Sequence, residues 1–189
     1  MGIFQRNTGR KLSTLDMALV AIMAAIIAVC AWITVPLPVG VPFTMQTFGL
    51  FFALCMLGGN RGTLSVVVYI LLGIAGAPVF SGFQGGMGVL SGMTGGYITG
   101  FILSGIVYIL ITGIFGEKNI PMLIALLLGM VMYYSFGTAW FMVAYAKNVG
   151  SIGLFAALSK CVFPFIIPDL VKMALAFTLA KRVKKYVKA

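Results

Sequence analysis

Long apolar runs, separated by short polar or glycine- and proline-rich breaks, organise the whole chain. The first run extends from about Leu15 to Val35 and ends at "PLPVGVP" (Pro36 to Pro42), whose prolines cannot continue a helix. A second covers about Thr44 to Leu57, "GGNRG" follows, and a third covers about Thr63 to Ala75. Then comes a glycine-rich stretch, "GAPVFSGFQGGMGVLSGMTGG", from Gly76 to Gly96. A fourth run reaches about Phe115 and is closed by "GEKN"; a fifth covers about Pro121 to Ala146. After "KNVGSIG" and a short apolar connector, the last run covers about Pro164 to Ala180. A bilayer core of about 30 Å takes about 20 helical residues, so the second and third runs are short and must tilt or form a re-entrant hairpin. The pattern predicts an all-α integral membrane protein, one domain over 1–189, with six transmembrane helices and a long Gly-rich loop between helices 3 and 4.

Composition agrees with that class. Hydrophobic residues make up 61% and charged residues 8%, against about 45–50% and 25% in soluble domains. The net charge of +10 would fit nucleic acid if the basic residues lined one face with aromatics between them. They flank the apolar runs instead. With both termini cytoplasmic, that side holds Arg6, Arg10, Lys11, Arg61, Lys118, Lys181, Arg182, Lys184, Lys185 and Lys188, and the other only Lys147 and Lys160. This is a strong positive-inside bias, and it leaves lipid headgroups rather than nucleic acid as the basic residues' contact. The Pro-rich and Gly-rich loops then both face outward. The apolar run after Lys11 is too long for a signal-peptide core and lacks an A-x-A site, so it is read as retained.

Function classes narrow further. Cys30, Cys55 and Cys161 lie in apolar context with no C-x-x-C pair, and the chain has no histidine. The cysteines read as small buried hydrophobes, not a metal site or disulfide frame. Without histidine, a second intramembrane carboxylate or a G-x-S-x-G motif, an intramembrane enzyme is disfavoured.

One charged pair stands inside an apolar run. In "PFIIPDLVKMALAF", Asp169 precedes Lys172 by three positions, so the two share a helix face. A charge near the bilayer centre costs roughly 2.5–3.5 kcal/mol, which makes such a pair a functional-site candidate. Pro168 fits a first helical turn, which would give Asp169 the helix dipole as well. Helix fastener, ion or proton pathway, and polar anchor of a ligand pocket all fit. Depth favours the pocket: the helix from Asp169 to Ala180 rises about 16 Å, placing the pair in the outer half below the outward loops. The Gly-rich loop reads as a lid, with Phe80, Phe83 and Tyr97 supplying flat apolar surface and Gln84 an amide. Its "GGMG" is no phosphate cradle, since no G-K-[ST] follows. Gln46 is a second polar anomaly, suited to bonding a helix or a ligand. Ala21/Ala25 and Ala24/Ala28 form small-x-x-x-small pairs that admit a neighbouring helix; Gly92, Gly96, Gly100 and Ser104 repeat the device for internal packing.

Three segments, "VPFTMQTFGLFFALCMLGGNRGTLSV", "LLGIAGAPVFSGFQGGMGVLSGMTGGYITGF" and "PFIIPDLVKM", resemble the biotin-specific S components of energy-coupling factor (ECF) transporters, the BioY family. Met93 departs from the proline expected there. The resemblance implies a six-helix substrate-capture subunit in a prokaryotic cell membrane, with biotin as cargo and no cofactor of its own. It implies two ATPase subunits and a transmembrane coupling protein as partners, the latter docking on Ala21, Ala24, Ala25 and Ala28. It also implies contact between the biotin head group and Asp169 and Lys172. The chemistry fits: a carboxylate accepts a ureido N–H, an ammonium serves the carbonyl, and Phe43, Phe80 and Phe83 offer apolar walls. Lys172 on the biotin carboxylate fits equally. The rivals are an S component for a lipoate- or thiamine-like cofactor, and an ion or proton channel.

Overall fold

The structure, a computed structural model, describes residues 12–37 and 41–187; Arg6, Arg10, Lys11, Pro38 and Lys188 lie outside them. Helix α1 (Thr14–Trp32) starts at a capping box. Ser13 Oγ accepts from the Asp16 amide at 3.2 Å, and Asp16 Oδ2 accepts from the Ser13 amide at 3.1 Å. The other Asp16 oxygen takes the Arg61 guanidinium at 3.1 Å, which ties the start of α1 to the turn of the next helix. Past Trp32, a two-residue strand β1 (Thr34–Val35) pairs antiparallel with β2 (Phe43–Thr44) across the proline-rich loop. The helix thus ends three residues before the first apolar run does, because Thr34 and Val35 are drawn into this ladder.

Helix α2 (Gln46–Ile74) joins the second and third runs. "GGNRG" is helical except at Gly58, where φ is +78° and ψ 178°. The chain reverses there. A Cβ on Gly62 would sit 2.8 Å from Leu54 Cα, and the Gln46 amide reaches the Tyr69 hydroxyl. Arms 46–57 and 59–74 therefore form a hairpin, about 18 and 24 Å long at about 1.5 Å per residue. Both fall short of a bilayer core of about 30 Å. Gly58 occupies a backbone region that side chains avoid, at a cost of about 1–3 kcal/mol. Gly58→Ala is therefore expected to lower stability by that amount, read as a lower Tm in detergent. Gly113→Ala, at an open helical position, is expected to leave Tm unchanged or raise it.

The Gly-rich loop holds a 3-10 turn (Ser81–Phe83) and a short helix α3 (Met87–Ser91). Helix α4 (Gly95–Phe115) packs along α5 (Asn119–Asn148). Three members of the expected small-residue stripe lie in this interface; Gly92 does not, because it caps α3 before α4 begins. Gly96 faces Trp140, Gly100 faces Tyr133 with room for a Cβ only 3.1 Å from Tyr133 Cα, and Ser104 faces Gly129. The expected connector is a short helix, α6 (Leu154–Cys161). Helix α7 (Phe163–Val187) starts five residues before Pro168, so Pro168 and Asp169 are interior and not in the first turn as expected. The dipole contribution expected for Asp169 is absent, and Pro168 leaves one carbonyl of the preceding turn without its helical donor.

The architecture is all-helical apart from the short ladder. Among the described residues, five helices are long and apolar enough to cross a membrane; the second and third expected runs both fall within α2. One end of the bundle gathers Asp16 and Arg61 with the Glu117 carboxylate beside Gly58. The opposite end carries the proline-rich and glycine-rich loops and the start of α7.

Candidate ligand-binding site

A cavity of about 460 Å³ opens at the loop end, within the range of about 300–1,000 Å³ typical of small-molecule sites. Thr34, Pro36, Val41 and Pro42 wall it from the first loop, and Ser81, Gly82 and Gln84 from the lid. Tyr97, Ile98 and Phe101 of α4 form a second side; Cys161 and Phe165 form a third. Its polar floor is built from Thr44, Gln46, Thr47, Tyr133, Tyr134, Asp169 and Lys172.

The floor is a closed hydrogen-bond network. Asp169 and Lys172, 3% and 4% exposed, meet at 2.8 Å through Asp169 Oδ1. The Thr47 hydroxyl donates to the same oxygen at 2.9 Å. Tyr133 and Tyr134 donate to Asp169 Oδ2 at 2.6 and 2.7 Å. Lys172 also donates to the Thr44 carbonyl at 2.6 Å and to Thr47 Oγ1 at 3.3 Å, and its ammonium lies 4.0 Å from the centroid of the Phe43 ring. Three hydroxyl donors and a cation thus stand in for water around one carboxylate, which is what a buried charge requires. Gln46 Nε2 donates to the Tyr69 hydroxyl at 2.6 Å, which orients its amide at the cavity edge.

The lid is pinned at three places. Trp32 Nε1 donates to the Pro78 carbonyl at 2.8 Å, and its ring stacks on Phe83 at 5.0 Å. Trp140 Nε1 donates to the Gly92 carbonyl at 3.0 Å. Between them Phe80, fully buried, fills the hollow left by Gly73 and meets the Tyr69 ring edge-on at 5.5 Å. The chain's two tryptophans therefore both clamp the lid. Losing either indole bond should cost about 1 kcal/mol. Trp32→Phe and Trp140→Phe are each expected to speed ligand dissociation several-fold, measured by filter binding of a radiolabelled ligand.

Of the residues singled out from sequence, Asp169, Lys172, Gln46, Gln84 and Tyr97 line the cavity. Three aromatic positions have other duties than the expected walls: Phe43 covers the Lys172 ammonium, Phe80 anchors the lid and Phe83 stacks outside on Trp32. The alanines of α1 divide. Ala24 and Ala28 are buried in the core, and only Ala21 and Ala25 remain on the outer face. Tyr133, Tyr134, Thr44 and Thr47 were not singled out. The adjacent pair in "VMYYSF" was the available signal, since two hydroxyls inside an apolar run both need partners.

Fold and site together define a multi-pass helical membrane protein with a polar-floored, lid-covered cavity at one end. Comparisons with known proteins narrow this. The sequence profile of the BioY family matches residues 6–189, and the chain belongs to that family. It is 39% identical over 169 residues to the biotin transporter BioY of Thermotoga maritima, covering 87% of this chain and 92% of that protein. It is 36% identical to a probable biotin transporter BioY of Pyrococcus horikoshii, covering 89% and 96%. Among solved structures it resembles the S-component for biotin from an ECF-type ABC transporter, with a TM-score of 0.77, 26% identity, and coverage of 90% and 91%.

Proposed function

We propose that this protein captures biotin from outside the cell as the substrate-binding S component of an ECF-type transporter. The observation that carries the reading is the cavity above the buried Asp169–Lys172 pair in a chain of the BioY family. The cavity joins apolar sides to one strongly polar corner, matching a bicyclic ligand with an apolar thioether ring and a polar ureido ring. The ureido ring sits in the Asp169–Lys172 corner. The valeryl chain runs toward the lid, where Thr34, Ser81, Thr94 and Gln84 supply hydrogen-bonding groups for its carboxylate. In this reading both arms of the α2 hairpin count as spans, giving six. Both termini are cytoplasmic, in the plasma membrane, with Arg61 and Glu117 on the inner face and the cavity on the outer. Ala21 and Ala25 present the close-approach surface for the transmembrane coupling protein. Two ATPase subunits supply the energy to reorient the loaded subunit and release biotin inward.

Competition binding with a vitamin panel tests the assignment. Purified protein loaded with labelled biotin should lose its label to unlabelled biotin and keep it against lipoate and thiamine. Displacement by either of those at equal concentration would assign the site to another cofactor.

A further inference from the structure

A second cavity, of about 490 Å³, lies between α5 on one side and α6 with the start of α7 on the other. Val131, Ser135 and Ala139 line it and are exposed, so it is a groove open on the outside of the bundle. Along α5 it runs from Met130 to Met142, about 18 Å of helix at about 1.5 Å per residue. That is roughly the depth of one leaflet of a bilayer core about 30 Å thick. Leu154, Leu158, Val162 and Ile166 form the facing wall. Three hydroxyl-bearing residues line the groove, and each is bonded within the protein. Tyr134 donates to Asp169 Oδ2, Ser135 donates to the Val131 carbonyl at 2.8 Å, and Thr138 is bonded to the Tyr97 hydroxyl at 3.1 Å. The surface left to an occupant is therefore apolar, and its two methionines adapt readily to an irregular chain.

The mouth of the groove is charged. Tyr145 follows Met142 by three positions, on the same side of α5. Lys160 of α6 holds its ammonium 5.4 Å from the centroid of the Tyr145 ring. A tyrosine with a lysine beside it is the usual furniture of the headgroup level. Lys160 has no side-chain carboxylate to pair with. The sequence has three acidic residues. Asp16 holds Arg61, Asp169 holds Lys172, and Glu117 lies beside Gly58 at the opposite end of the bundle. An anion for Lys160 must come from outside the chain. Lys147, the other basic residue at this end, is two positions from Tyr145 and points away from the groove.

We propose that the groove binds one phospholipid from the leaflet on the loop side of the bundle. One acyl chain lies along α5 between Met142 and Met130, and the phosphodiester sits against the Lys160 ammonium beside Tyr145. A headgroup without a cation of its own, as in phosphatidylglycerol, is preferred to phosphatidylcholine, whose trimethylammonium already neutralises its phosphate. The site is distinct from the loop-end cavity, with which it shares only Tyr134. The bound lipid fills the gap beside α6, a helix of eight residues, and braces it against α5.

The test is native mass spectrometry of the full chain in detergent, titrated with phosphatidylglycerol or with phosphatidylcholine of the same acyl chains. Wild type should retain one phosphatidylglycerol, bound more tightly than phosphatidylcholine. Lys160→Gln should weaken phosphatidylglycerol by about fivefold, the effect of one basic residue near a membrane surface, and erase the preference. Lys147→Gln should keep it. Ala139→Phe, which places a ring in the groove from an exposed position, should weaken both lipids; Val131→Phe is a second filling variant, and unchanged thermal unfolding identifies which of them is folded. The deacylated headgroup, glycerophosphoglycerol, should not displace the lipid. Equal losses in Lys147→Gln and Lys160→Gln would show attraction to any nearby cation and overturn the proposal. Wild-type lipid affinity in a folded filling variant, or displacement by the headgroup alone, would overturn it as well.

Discussion

Asp169→Ala is expected to abolish tight biotin binding while the protein still reaches the membrane folded. Removing the carboxylate strands the Lys172 ammonium at 4% exposure and takes the partner from two phenolic protons and the Thr47 hydroxyl. Truncating one member of a buried hydrogen-bonded charge pair costs about 2–5 kcal/mol, roughly thirty- to several-thousand-fold in affinity. Part of that loss is stability, because a lone buried charge also destabilises the fold. The double variant Asp169→Leu with Lys172→Met separates the contributions. Exchanging both charges for apolar residues of similar size is often neutral or stabilising, so Tm should recover toward wild type. Biotin affinity should not recover. A pair that merely fastened α7 to α2 would give a double variant with normal biotin binding. Titration calorimetry and thermal unfolding on the same detergent samples decide between them.

The second large effect concerns the lid. Phe80→Ala is expected to loosen the Gly-rich loop, since truncating a fully buried phenylalanine costs about 3–5 kcal/mol. Gly73→Ala should reproduce the phenotype from the opposite side. Its new methyl would overlap the Phe80 ring, and overpacking of this kind costs about 1–3 kcal/mol. Gly73 does not line the cavity, so its effect on the ligand can arise only through the lid. Both variants should release bound biotin at least several-fold faster, followed by dilution and filtration. If Phe80 were a ligand wall and no anchor, Phe80→Ala would weaken biotin binding and Gly73→Ala would leave it intact.

The ionic half of the site was legible in the sequence because charge is so costly in an apolar run. Asp169 and Lys172, three positions apart, could be paired with each other from sequence alone. Their hydroxyl partners were not legible. Tyrosine and threonine are ordinary in membrane helices, and only the folded positions show that residues 44, 47, 133 and 134 converge on one carboxylate. Gln46 stood out for its amide, but its partner Tyr69 lies on the other arm of a hairpin whose reversal rests on Gly58 alone. The glycines of "GGNRG" marked the break, and helical geometry then resumed sooner than glycine content implied. Phe80 and Phe83 were correctly placed in the loop, whereas Tyr97 belongs to helix α4, and the sequence held no sign of which ring points inward. That depended on a hollow at Gly73, in a different helix. The four alanines of α1 shared one spacing pattern, and only the packing of α2 decided that Ala24 and Ala28 are covered.

A structure of the protein saturated with biotin is the most direct measurement. The bicyclic head should appear in the corner between Tyr133, Tyr134 and Lys172, with its chain directed to Thr34 and Ser81 under a lid still pinned by Phe80. Biotin elsewhere on the protein, or a head group pointing toward the lid with the Asp169 corner empty, would contradict this placement.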